Sequence, residues 1–195
     1  MLTLKALLMM VNGKDRYTFA HCEKVAEYAA IIATELKMQP EQVKAVKLAG
    51  FLHDIGKLEV PGEILIKEGP LNDEEMDNIR QHPWWGINIL RSFQGFNKIL
   101  PAILYHHERY DGNGYPEGLA GENIPLFARI INIADSFDAM VSHRPYKRNL
   151  SLEEAIHELE KNAGSQFDPA LAGIFVNALK AQGEGIFSLK VDLAG

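Results

Sequence analysis

One cysteine, Cys22, occurs in 195 residues. An internal disulfide is therefore excluded, and a reducing, cytoplasmic setting is the default expectation. Long apolar runs are also lacking. The stretch "ALLMMV" near the start is too short to span a bilayer and carries no signal-peptide cleavage pattern, so no membrane insertion is expected. Positive charge is in deficit, with 20 Lys and Arg against 26 Asp and Glu and a net charge of -6. That balance argues against a partner that is polymeric nucleic acid or an anionic membrane surface. A small phosphate ligand stays allowed, because metal ions or a few local cations can reverse the field inside one cleft. Repeats and low-complexity tracts are absent, and period-two alternation is nearly so.

What is present is helical patterning. From Tyr17 to Leu36 the chain is alanine-rich, with apolar residues three and four apart. Pro40 stands where a second helix would start. "LNDEEMDNIRQH" opens on Asn and acids, as a helix start should, and Pro83 implies that His82 ends this helix or sits at a kink. "NKILPAILYHH", "PLFARIINIADSFDAMV", "SLEEAIHELEKN" with its Ser151–Glu154 capping box, and "DPALAGIFVNALKAQ" with Asp and Pro at its start complete the set. "GIFSLKVDL" alternates weakly and could form a short strand pair. The expectation is an all-α single domain, a bundle of about seven to nine helices. Residues 1–15 read equally well as a core helix or as a connector from an upstream regulatory domain.

The histidines carry the chemistry. "LAGFLHDIGK" sets His53 and Asp54 side by side in a segment otherwise suited to burial. An ionised carboxylate in an apolar wall is costly without compensation. A satisfied His–Asp hydrogen bond and a divalent cation both supply it. "YHHE" adds His106 and His107, which a helix would project about 100° apart, toward two ions or toward an ion and a substrate oxygen. "INIADSFDAM" puts Asp135 and Asp138 one turn apart on an apolar helix. His82 in "RQHP" and His21 in "FAHCEKV" extend the pattern. Imidazole and carboxylate without thiolate suit iron, manganese or zinc at a hydrolytic site, and close ions there can activate water and hold phosphoryl oxygens. His143 and His157 are set aside as loop and helix-surface residues.

With these residues in hand, the chain closely resembles the HD-GYP family, a branch of the HD superfamily of metal-dependent phosphohydrolases. The resemblance runs from about Asp15 to Leu179 and rests on "LAGFLHDIGKLEVPGEIL", "IRQHPWWG", "HHERYDGNGYPEGLAGENIPLFARIINIADSFDAM", "HRPYK" and "GSQFDPAL". It implies an HD-type helical bundle that hydrolyses the bacterial second messenger cyclic di-GMP to pGpG, GMP or both. It implies His21, His53, Asp54, His82, His106, His107 and Asp135 as metal ligands, with Asp54 bridging. Lys57 would hold a phosphate oxygen or help with proton transfer. Asp111, Gly112, Gly114, Tyr115 and Pro116 would form a mobile signature loop, with Tyr115 near the ligand, and Arg144 and Lys147 would meet phosphates or guanines. Some relatives with a third metal have a glutamate four residues before the first histidine ligand. Here Tyr17 stands in that place, so two divalent ions are expected, iron or manganese first, with zinc, nickel or magnesium as alternatives. Asp138 would join the ligand shell or support it from behind.

Other functions keep their place beside this reading. The chain could be a silent cyclic di-GMP receptor, an HD phosphohydrolase for another cyclic dinucleotide or nucleotide, or a structural helical module. A sensor or receiver domain, or a signalling partner, would supply regulation, and a homodimer is compatible with all of these.

Overall fold

The computed structural model describes residues 16–67, 69–142 and 148–188. Helix α1 spans Arg16–Glu35 and α2 Pro40–Leu52; a 3-10 turn follows at Ile55–Glu59. Then come α3 (Gly62–Leu65), α4 (Asp73–Ile79), α5 (His82–Leu90), α6 (Leu100–Tyr105), α7 (Leu126–Val141), α8 (Leu152–Lys161) and α9 (Pro169–Gln182). Among the described residues the extended pairing is confined to two isolated bridges, Asp111 with Ala120 and Ala163 with Phe167. The all-α expectation holds. The suggested strand pair does not hold over its first half, where Gly183–Ser188 coil into a 3-10 helix; the rest of that stretch lies outside the described residues, as do the 1–15 connector and His143, Arg144 and Lys147.

The helix ends follow from local chemistry. Pro40 opens α2, and the Gln42 side chain returns to the Gln39 amide at 3.1 Å. Asn72 caps α4 by accepting from the Glu75 amide at 2.8 Å, while Glu75 accepts from the Asn72 amide at 2.9 Å. Ser151 and Glu154 repeat that exchange at α8. Asp168 accepts from the Ala170 and Leu171 amides ahead of α9 and also pairs with Arg129 of α7 at 2.5 Å.

Small residues let the central helices approach closely. Ala26, Ala29 and Ala33 of α1 are fully buried, as are Ala49 of α2 and Ala134 of α7. Around them Ile32, Ile130, Ile131 and Phe137 fill the core, each contributing about 1.5–3 kcal/mol by burial. Tyr28, Phe137 and Phe175 close it with edge-to-face contacts, at 4.9 Å between Tyr28 and Phe137 and 5.2 Å between Phe137 and Phe175. By contrast α3 and α4 bury no residue. They form an outer excursion between Asp54 and His82.

One close approach places the site. A Cβ on Gly56 would lie 1.8 Å from the His82 carbonyl oxygen and 2.5 Å from the Gly86 nitrogen. Only glycine lets the 3-10 turn after Asp54 lie directly on the first turn of α5. That contact brings Asp54 to His82 across 28 residues of chain.

Candidate metal centre

Four histidines stand at helix junctions rather than mid-helix. His53 caps the end of α2, His82 opens α5, and His106 caps the end of α6 with His107 next to it. His82 was expected to end α4 or sit at a kink; the chain breaks at Arg80 and Gln81, and His82 begins the next helix. Each of the three buried rings uses the same device. Nδ1 lies 2.7 Å from a main-chain carbonyl three residues back: Gly50 for His53, Ile79 for His82 and Ile103 for His106. With Nδ1–H donating there, Nε2 is an unprotonated lone pair aimed inward.

Those lone pairs converge. His82 Nε2 and His106 Nε2 are 3.2 Å apart. His82 Nε2 is 3.3 Å from Asp54 Oδ1. Ligand atoms of Asp54, His82, His106 and His107 all lie within 4.8 Å of one another. The adjacent histidines were expected to address different targets; instead the chain turns as α6 ends, their ring centroids are 4.0 Å apart, and both serve one donor group. A second group, His21, His53 and Asp54, meets the same 4.8 Å limit and shares Asp54 with the first. Asp135 flanks it, with Oδ1 3.1 Å from His21 Nε2 and 4.0 Å from His53 Nε2. Asp138 stands behind His21, with Oδ2 2.7 Å from its Nδ1, and is itself held by the Ser142 hydroxyl at 2.7 Å.

The fit to cations is direct. His53 Nε2 and Asp54 Oδ1 are buried with no hydrogen-bond partner. Facing lone pairs and an ionised carboxylate at 3% exposure repel or go unsatisfied unless an electrophile lies among them. Electrostatics agree. Burial lowers His82 to about 4 and His107 to about 3, and it pushes His106 well down, so these imidazoles are neutral donors suited to an ion. Burial opposes charge on Asp54, but the Lys57 ammonium, 2.5 Å from Oδ2, together with the surrounding histidines outweighs it and holds the carboxyl well below its usual range. Burial depresses His21, yet the hydrogen bonds to Asp135 and Asp138 carry it up to about 9. Asp135 is held far down by His21 against its own burial.

The signature loop, expected to be mobile, packs here with defined contacts. Gly114 is pressed onto the chain just before it: a Cβ there would lie 2.3 Å from the Arg109 nitrogen and 2.6 Å from the His107 oxygen. Gly112 has φ +80°, which its lack of a side chain permits. Glu108, 1% exposed, accepts from the Glu117 and Gly118 amides at 2.7 and 3.0 Å, straddling the cis Tyr115–Pro116 bond. Asn132 donates to the His106 and Glu108 carbonyls at 2.9 and 3.2 Å. The loop is thus a hydrogen-bonded corner, and its product is the position of Tyr115, stacked on His107 at 4.8 Å and 23°. Asp111 is not brought to the donor groups. Its carboxylate is bound by Arg109 at 2.7 Å and by the Asn113 amide at 3.0 Å, and Arg109 holds it down to about 2. Glu108, Asn132 and Gly56 are the organising residues that sequence reading missed. Only Glu108 had a signal, an acid next to two ligands.

Family comparison decides what such an arrangement belongs to. The HD domain family matches residues 5–171. The chain belongs to the HD-domain family. Its resemblance to the HD-GYP branch also stands. A relative from Xanthomonas campestris pv. campestris, the cyclic di-GMP phosphodiesterase response regulator RpfG, is 41% identical over 169 residues, 86% of this chain and 45% of its own length. A 3'3'-cGAMP-specific phosphodiesterase 1 from Vibrio cholerae is 44% identical over 154 residues, 78% of this chain and 36% of its own length. The chain therefore spans less than half of either relative. The crystal structure of a cyclic GMP-AMP specific phosphodiesterase of V. cholerae shares the HD fold, with a TM-score of 0.69 at 19% identity over 93% of this chain and 50% of that one. No described helix is long and apolar enough to cross a membrane.

Proposed function

We propose that this HD domain is a metal-dependent phosphodiesterase that hydrolyses cyclic di-GMP to pGpG, GMP or both. The observation that carries the reading is the pair of donor groups joined at buried Asp54, together with the unpartnered His53 Nε2 and Asp54 Oδ1 atoms that face into it. His21, His53, Asp54 and Asp135 would hold one divalent ion, and Asp54, His82, His106 and His107 a second; iron or manganese suits this nitrogen and oxygen set best, with zinc, nickel or magnesium as alternatives. When bound, such ions neutralise phosphoryl oxygens and make water a nucleophile near neutral pH.

The chain's own residues supply the rest. Lys57 stays charged because Asp54 outweighs the cost of its burial, so its ammonium is a fixed donor for a phosphoryl oxygen arriving beside Asp54. Asp138 fixes the orientation of His21, and the main-chain carbonyls fix His53, His82 and His106, so the ligand geometry exists before substrate arrives. Tyr115 covers His107 and forms one wall for the substrate. In the net reaction water adds to phosphorus, the bond to the ribose 3′-oxygen breaks, and that oxygen leaves protonated. Support for the cyclic substrate comes from the 41% identical relative named for cyclic di-GMP. The 44% identical relative named for 3'3'-cGAMP favours a second reading, a hybrid ring at the same site. This reading carries a cytoplasmic location and places regulation in a sensor or receiver domain or in a signalling partner.

The test is anaerobic incubation with cyclic di-GMP, and separately with 3'3'-cGAMP, in the presence of iron(II) or manganese(II), with products separated by chromatography. Metal-dependent pGpG or GMP, absent when a chelator is added, is the expected result. A metal-loaded protein that binds cyclic di-GMP without cleaving it would replace the enzyme with a receptor, and cleavage confined to 3'3'-cGAMP would move the substrate.

A further inference from the structure

A cyclic dinucleotide carries two phosphodiesters, and the donor groups with Lys57 account for one. On the described residues a second cation stands at the end of a stack of rings that starts at the same centre. Arg80 lies at the end of α4, two residues before the ligand His82. Its guanidinium sits over the Tyr115 ring, 5.9 Å from the centroid. Tyr115 in turn is stacked on His107. Exposure rises along this column: His106 is fully buried, His107 and Tyr115 are partly buried, and the Arg80 side chain is 53% exposed. The column therefore runs from the metal centre to its rim, with a permanent positive charge at the outer end.

We propose that Arg80 is a substrate-binding residue that holds the second phosphate of the cyclic dinucleotide while the first lies beside Asp54. This rests on the phosphodiesterase reading. A guanidinium presents a planar fork that matches two phosphate oxygens at once, which an ammonium cannot do. The fork is available, because among the described residues its polar contact is a single exposed one, Nη1 to Asp77 Oδ1 at 3.2 Å. The contact to Tyr115 is long for a stacked guanidinium, so the side chain can leave it without unmaking the loop, which Glu108 and Asn132 hold in place. Position in the chain adds to the argument. Gly56 packs the turn bearing Asp54 and Lys57 on the start of α5, the helix that begins two residues after Arg80. One cation beside Asp54 and a second at the outer end of the Tyr115–His107 stack suit a ring with two anionic links better than a monoester or a single diester.

The experiment compares steady-state kinetics of metal-loaded wild type, Arg80→Ala and Arg80→Lys on cyclic di-GMP and on bis(p-nitrophenyl) phosphate, which has one phosphate, with metal content measured alongside. Arg80→Ala should raise KM for cyclic di-GMP roughly ten- to a hundredfold, the loss expected for a charge-assisted hydrogen bond, with a smaller change in kcat and full metal content. The loss on bis(p-nitrophenyl) phosphate should be much smaller, and Arg80→Lys should recover part of the affinity. Equal losses on both substrates, or a loss in kcat alone, would mean that Arg80 only braces Tyr115 and would overturn the proposal, as would no loss. If wild type does not cleave cyclic di-GMP, the functional reading fails separately. Equilibrium binding of cyclic di-GMP then tests Arg80, with unchanged affinity in Arg80→Ala counting against it and at least tenfold weaker binding supporting it. A wild type that neither binds nor cleaves overturns both.

Discussion

The two donor groups share Asp54 yet differ in what backs one of their histidines. Around Asp54, His82, His106 and His107, the His82 and His106 rings are anchored through Nδ1 to main-chain carbonyls, and burial keeps all three imidazoles neutral. Around His21 and His53, His21 is clasped between Asp135 and Asp138, which carry it up to about 9. One side is set by neutral dipoles; on the other a carbonyl anchors His53 and carboxylates clasp His21. A ligand backed by a carbonyl is a ready lone pair. A ligand backed by a carboxylate is more basic, and must lose a proton before it can bind an ion. The centre thus has a side that is poised for metal and a side whose occupancy is coupled to pH.

Removing what the two sides share should have the largest effect. Asp54→Ala is expected to cut turnover at least roughly a thousandfold, since it takes a ligand from both groups and strands the Lys57 charge; a variant with near wild-type rate would break the shared-ligand account. Next come substitutions that separate the sides. His106→Ala should remove one ion and His21→Ala the other, each leaving about one equivalent by elemental analysis. Loss of both ions in each variant would erase the distinction between the groups.

Asp138→Asn is subtler. It keeps the shape but removes the charge behind His21, and should weaken metal binding on that side about 10- to 100-fold while leaving the His82 side intact. Equal weakening of both sides in a competition titration would contradict it. The smallest effect is the proton count. In metal-free protein, protonated His21, with its pKa raised from 6.5 to about 9, adds stability that is fully present below pH 6.5 and lost as pH rises through about 9. His82, lowered to about 4, acts in the reverse sense: its contribution is present above pH 6.5 and is lost as pH falls toward 4. Metal uptake near pH 7 should therefore release about one proton on the His21 side and almost none on the other, which calorimetry in buffers of different ionisation enthalpy will report.

This contrast also marks what the sequence could convey. His53, Asp54, His82, His106 and His107 were legible because polar, metal-capable residues in apolar segments need a reason to be there. Helix starts at Pro40, Asn72, Ser151 and Asp168 were legible because capping is local chemistry. The backing of the rings was not. A carbonyl three residues back has no side-chain signature, so the anchoring of His53, His82 and His106 is invisible until the helices end where they do. Gly56 reads as mere punctuation and Gly114 as part of a mobile signature loop; their packing role is hidden, since the atoms that exclude a Cβ come from α5 in one case and from the preceding turn in the other. The packing of the GYP loop was hidden for the same reason: its glycines permit motion, and here they also permit the close approach that the Glu108 and Asn132 hydrogen bonds brace. Arg80 lay inside a recognised segment but was overshadowed there by His82, and no spacing marked it as a ligand-facing cation.

The central claim is that two ions are held by groups joined at Asp54. Its most direct test is an anaerobic manganese(II) titration of tag-free wild type and Asp54→Ala, with bound metal counted by elemental analysis and spin coupling read by electron paramagnetic resonance. The account predicts about two ions per chain in wild type, magnetically coupled through the shared carboxylate, and loss of that coupled pair in the variant. A single uncoupled ion in wild type, or a coupled pair that survives Asp54→Ala, would contradict it.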